Sequence, residues 1–109
     1  MSNIEYIYLI LNNLGYDLHL GFAPQNATLP FIIYNEINSI QPFGFTSRLK
    51  NQKSNYQIDI YDKTLANALV IEQDIDEALE ANKIYTILAS NTTFNEDEVR
   101  IRKNLSLYK

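Results

Sequence analysis

Thirteen carboxylates, one histidine and no cysteine make up the reactive inventory of this 109-residue chain. Asp17 and His19 stand two residues apart. On a strand that spacing puts them on one face, yet no serine stands beside them to complete a nucleophile pair. Asp59 and Asp62 flank Tyr61 at a spacing that defines no site, and Asp62 is placed to cap a helix. The run Glu96-Asp97-Glu98 lacks the regular ladder of oxygen ligands that a hard cation requires, so it reads as a solvated turn. Glu72 falls near the middle of an apolar helical stripe. A buried, pKa-shifted carboxylate is one reading; a helix-edge Glu that reaches water or a basic partner is the favoured one, because Glu is almost never buried unpaired.

The remaining chemistry is excluded by residue type. Without cysteine there is no thiol nucleophile, disulfide or thiolate metal ligand. One histidine makes a His triad or His-based metal site hard to build, and three glycines leave no phosphate-cradling loop. Asn26-Ala27-Thr28, Asn91-Thr92-Thr93 and Asn104-Leu105-Ser106 match the glycosylation tripeptide by chance in an Asn-rich chain. No catalytic, cofactor-binding or metal-ligating residue is assigned, and a non-enzymatic domain is expected.

Charge is more informative. The net charge is -4, which argues against a nucleic-acid binder that relies on a broad basic surface. No run reaches the roughly 18 apolar residues of a membrane span, and the start lacks a basic signal-peptide region. A soluble, intracellular protein is expected. Between Glu36 and Asp59 there is no acid, while Arg48, Lys50 and Lys53 cluster there; Glu72, Asp74, Asp76, Glu77 and Glu80 crowd a later segment. This segregation reads either as solvated charge or as contact between a basic loop and an acidic surface on a neighbour. Eight Tyr and five Phe are also many rings for so small a core, and Tyr is a favoured interface residue.

The elements that must position these groups follow from periodicity. Ser2 to about Leu14 reads as a helix, with Ser2 as N-cap, Glu5 three residues on and Gly15 as stop. Ile4, Ile7, Tyr8, Leu11 and Leu14 share one face; Tyr6, Leu9 and Ile10 carry apolarity round the rest, which suggests a second partner. Leu18 to Phe22 is a candidate short strand, and Leu29 to Ile37 reads as a strand with Pro30 at its start or an edge. Gln41 to Lys53 is predicted to be a long hairpin loop. Ser54 to Tyr61 alternates, with Tyr56, Ile58 and Ile60 on one face. A second helix, capped by Asp62 or Thr64, runs to about Ala81 on a stripe of Leu65, Ala68, Leu69, Ile75, Ala78 and Leu79, with Asn82 as a left-handed C-cap. Ile84 to Ser90 and Val99 to Tyr108 are the last strands. In the final strand Val99, Ile101, Leu105 and Leu107 face one way, and Lys103 breaks the set, which suggests an edge.

The order α-β-β-β-α-β-β implies a single α+β domain over residues 1–109. It predicts an antiparallel sheet of four to five strands with both helices packed on one face.

Leu29-Pro30-Phe31-Ile32-Ile33-Tyr34, and Tyr56-Gln57-Ile58-Asp59-Ile60-Tyr61 running into an acidic Ala/Leu-rich helix, give the chain its most specific pattern. It resembles the tail terminator (tail completion, head–tail joining) proteins of long-tailed bacteriophages, whose usual features are "LPYIVY"-like and "VQIDVYA"-like strands. The resemblance covers about Ile4 to Leu79. It implies a structural virion protein at the tail–head junction, made in the host cytoplasm and assembled as a homohexameric ring. That ring would end tail polymerisation, bind the tail-tube protein, dock the head connector and let DNA pass without specific binding. On this reading Phe43, Phe45, Arg48, Lys50 and Lys53 meet the tube or a neighbouring subunit, and Tyr6, Leu9, Ile10, Tyr61, Asp76 and Glu77 form the subunit interface. An acidic inhibitor or immunity-type protein for a basic partner, and a neck or minor capsid component, are the alternatives.

Overall fold

Alternating β-branched and aromatic residues build the sheet, and the register between strands decides which of them meet. The structure, a computed structural model, describes residues 3–40, 53–84 and 87–108. Helix α1 (Asn3–Asn12) is followed by β1 (Leu18–Leu20), β2 (Phe31–Ile40) and β3 (Lys53–Asp62). Helix α2 (Leu65–Ala81), β4 (Ile87–Phe94) and β5 (Val99–Tyr108) complete the chain. The five strands form one sheet in the order β1-β2-β3-β5-β4. The predicted element order and α+β class are both observed.

Registers of Ile32 with Ile60, Ile60 with Ile101, and Tyr56 with Leu105 line one sheet face with apolar side chains. Ile32, Tyr56, Ile58, Ile60 and Leu105 are completely buried there. They join Ile7, Ile10 and Leu11 of α1 and Ala68, Ile71, Ile75 and Leu79 of α2 in a single core cluster. Each fully buried aliphatic side chain contributes about 1.5–3 kcal/mol of transfer free energy.

Four details depart from expectation. The sheet is mixed, because β1 runs parallel to β2. Residues 21–30 supply the return path that a parallel pair needs, and Gly21, at φ +86°, turns the chain away from β1. Second, β5 lies inside the sheet between β3 and β4, so Lys103 does not mark an edge. Third, the core stripe of α1 is Ile7, Ile10 and Leu11, with Leu14 packed against it. Tyr8 and Leu9, at 40% and 43%, are the exposed large apolar side chains of that helix. The apolar positions of α1 form two overlapping helical stripes, and packing chose the one containing Ile10. Fourth, α2 buries Ala68, Ile71, Ile75 and Leu79, and leaves Leu65 and Leu69 exposed.

The ends of α2 follow local chemistry. Thr64 Oγ1 accepts the Asn67 N–H at 3.2 Å, which makes Thr64 the N-cap; Asp62 Oδ1 instead accepts the adjacent Lys63 N–H at 2.7 Å. At the other end Lys83, not Asn82, takes the left-handed conformation, at φ +63°. The Lys83 N–H donates to the Glu80 carbonyl, and the Ile84 N–H to that of Leu79, both at 2.9 Å. This is a Schellman closure, and the burial of both Ile84 and Leu79 accompanies it.

Candidate docking surfaces

Strand alternation that sends Ile58, Ile60 and Ile101 into the core sends their neighbours to the opposite face. Phe31, Ile33, Asp59, Tyr61, Arg100 and Arg102 lie together on that face. The register sets Phe31 beside Tyr61 and Tyr61 beside Arg100 in one row, and Ile33 beside Asp59 and Asp59 beside Arg102 in the next. The Phe31 and Tyr61 rings stack with centroids 4.8 Å apart, and the His19 ring meets the Phe31 ring edge-on at 6.1 Å. His19 Nε2 and Asp17 Oδ2 share a 3.0 Å hydrogen bond. Their spacing placed the two residues on one face; the structure adds the contact between them and joins it to this aromatic row.

Arg102 reaches Asp59 through two parallel bonds, Nε to Oδ1 at 2.9 Å and Nη2 to Oδ2 at 3.1 Å. That fork raises the guanidinium pKa further, the hydrogen bond outweighing the opposing effect of burial. Arg100 donates from Nη2 to Thr93 Oγ1 at 3.2 Å, while its buried Nε has no hydrogen-bond partner among the described residues. The face thus has an aromatic half on β2 and β3 and a cationic half on β5. Aromatic rings and arginine are the side chains enriched at protein interfaces.

The second surface is the outer face of α2. At about 100° per residue, Ala66, Leu69, Val70, Gln73, Glu77 and Glu80 point away from the buried stripe. Leu69 and Val70 are 45% and 57% exposed, and Glu77 and Glu80 are exposed too. The other three acids of the helix are engaged inside the subunit. Lys103 Nζ lies 2.9 Å from Glu72 Oε2 and 3.1 Å from Asp76 Oδ1, the latter an ion pair without hydrogen-bond geometry. On the opposite flank the Tyr16 hydroxyl donates to Asp74 Oδ2 at 2.5 Å, and this hydrogen bond, with burial, pushes the phenol up to about 12.

The residues singled out in the sequence are therefore scattered. Ile10 is 6% exposed and belongs to the core of the subunit. Asp76 pairs with Lys103 within the subunit, its side chain 40% exposed. Tyr6 packs against the core, its hydroxyl 3.5 Å from the Asn82 carbonyl, whereas Leu9 is exposed. Tyr61 stands in the aromatic row, and Glu77 accepts the Gln73 amide at 3.3 Å on the outer face of α2. Phe43, Phe45, Arg48 and Lys50 lie outside the described residues; Lys53 opens β3, paired with Ile40 and Tyr108.

The sequence left Glu72 between water and a basic partner; the structure supplies the partner, Lys103. The signal was a lysine interrupting an apolar strand face, opposite two helical acids four residues apart. A shallow groove of about 290 Å³ between α1 and the sheet edge, lined by Glu5, Tyr8, Leu20 and Tyr34, was also unforeseen. Burial there raises the Tyr34 phenol.

Among the described residues no helix is long and apolar enough to cross a membrane, and no three His, Asp or Glu side chains cluster as metal ligands. Comparison with protein-family models and with curated proteins yields no match.

Proposed function

We propose that this chain is a structural virion protein of the tail-terminator kind, a ring that caps the phage tail tube and presents a surface to the head connector. The observation that carries the reading is the pairing of its two most specific segments. Phe31 to Tyr34 and Ile58 to Tyr61 lie side by side in register on β2 and β3, and α2 follows β3 after two residues. The chain between Ile40 and Lys53 carries the basic and aromatic residues assigned to tube contact. Engagement of Glu72, Asp74 and Asp76 by Lys103 and Tyr16 leaves less free acid for the alternative of an inhibitor that imitates nucleic acid.

The test adds the protein to polymerising tail tubes and follows tube length and tube ends by electron microscopy. Ring-shaped caps and arrested growth are expected. Arg48→Glu or Lys50→Glu should weaken capping with an unchanged melting temperature. Tubes that grow on with bare ends would sink the proposal, and co-purification with a basic toxin would replace it with the inhibitor reading.

A further inference from the structure

We propose that the aromatic and cationic face of the sheet is the seat for the outer face of α2 from a second copy of this chain. The inference deepens the ring reading and depends on it only for closure of the assembly. The two surfaces match in chemistry. The sheet offers Phe31, Tyr61 and Ile33 on one side and Arg100 and Arg102 on the other; the helix offers Leu69 and Val70 in one half and Glu77 and Glu80 in the other.

They also match in spacing. From Val70 to Glu77 is about 10 Å along a helix axis at about 1.5 Å per residue. From β2 to β5 is two strand spacings, about 9–10 Å. A helix laid across the strands sets its apolar half on the ring pair while its carboxylates reach the arginines.

Arg100 fits this role best. Arg102 already spends its fork on Asp59, whereas the Arg100 side chain bonds only Thr93 among the described residues and keeps further N–H donors for an incoming carboxylate. The contact uses a different face on each copy, so it is heterologous and generates a ring when the rotation closes.

Sedimentation equilibrium of the full chain tests the contact. Glu77→Arg with Glu80→Arg changes exposed side chains and keeps the fold, checked by circular dichroism. It should weaken self-association by about tenfold or more, as should Arg100→Glu. Combining the three changes should restore most of the loss, which a merely destabilised subunit would not do. If Arg100→Glu fails to fold, Arg100→Gln takes its place, with a smaller loss expected.

A wild-type chain that stays monomeric at about 1 mM, or association indifferent to these reversals, overturns the contact. So does protection of the sheet-face amides only when tail-tube protein is added, which assigns the face to that protein. Tube capping is scored separately. Capping with no sensitivity to the reversals defeats this contact alone, and a working charge swap without capping defeats the tail reading alone.

Discussion

Arg102 and Lys103 are neighbours on β5, each paired with carboxylate, and alternation puts them on opposite faces of the sheet. Lys103 stands in the core series, opposite Ile58, with its side chain 4% exposed beneath α2. Arg102 lies on the open face, 31% exposed, covering an Asp59 that is itself almost fully buried. The lysine is a point charge that gathers two acids from one helix; the arginine is a planar fork that matches one carboxylate. The first pair fixes where α2 sits, and the second shapes a surface. Burying an ammonium costs several kcal/mol unless its partners are in place, so Lys103 commits α2 to one register on the sheet.

That contrast sets the order of expected effects. Lys103→Ala should destabilise the subunit most, by about 3 kcal/mol, since it opens a cavity and leaves Glu72 and Asp76 facing each other with only partial access to water. Lys103→Met combined with Glu72→Gln and Asp76→Asn should recover most of that loss in urea unfolding, because a buried ion group replaced whole by apolar and neutral groups is often neutral or better. Failure to recover would mean that the ion group contributes net stability over its neutral replacement.

Arg102→Ala should cost less, about 1–2 kcal/mol, because truncation on the open face lets water reach Asp59. A loss equal to that of Lys103→Ala would break the distinction between the two faces.

The smallest effect lies at alkaline pH, on the other flank of α2. The Tyr16 phenol is raised in the folded chain from its ordinary 10 to about 12. Below about pH 10 it is protonated in both states; between 10 and 12 the unfolded chain alone releases the proton, so stability falls across that window. Tyr16→Phe should flatten that part of the stability–pH curve, read by thermal melts from pH 9 to 12.

Much of the fold was legible because its signals are local. The alternation of Tyr56, Ile58 and Ile60 predicts β3, Thr64 and the following periodicity predict α2, and the order of seven elements follows from spacing alone. Which helix residues point outward was less legible. Ile10 and Leu9 are adjacent apolar residues on one helix, and nothing within α1 says which of two overlapping stripes meets the sheet. Asp76 and Glu77 are adjacent acids, and only the position of Lys103 on another element separates an internal partner from an outward charge.

The amino-acid sequence by itself determined the class of this protein: an acidic, cysteine-free α+β fold, its strands and helices set by side-chain period and by caps. Those properties depend on residues a few positions apart. The tertiary structure decided the strand order, the parallel pairing of β1, the burial of Lys103 and the gathering of Phe31, Tyr61 and Arg100 on one face. Each of these depends on register between segments far apart in the chain, and a shift of one residue would send every side chain of a strand to the other face.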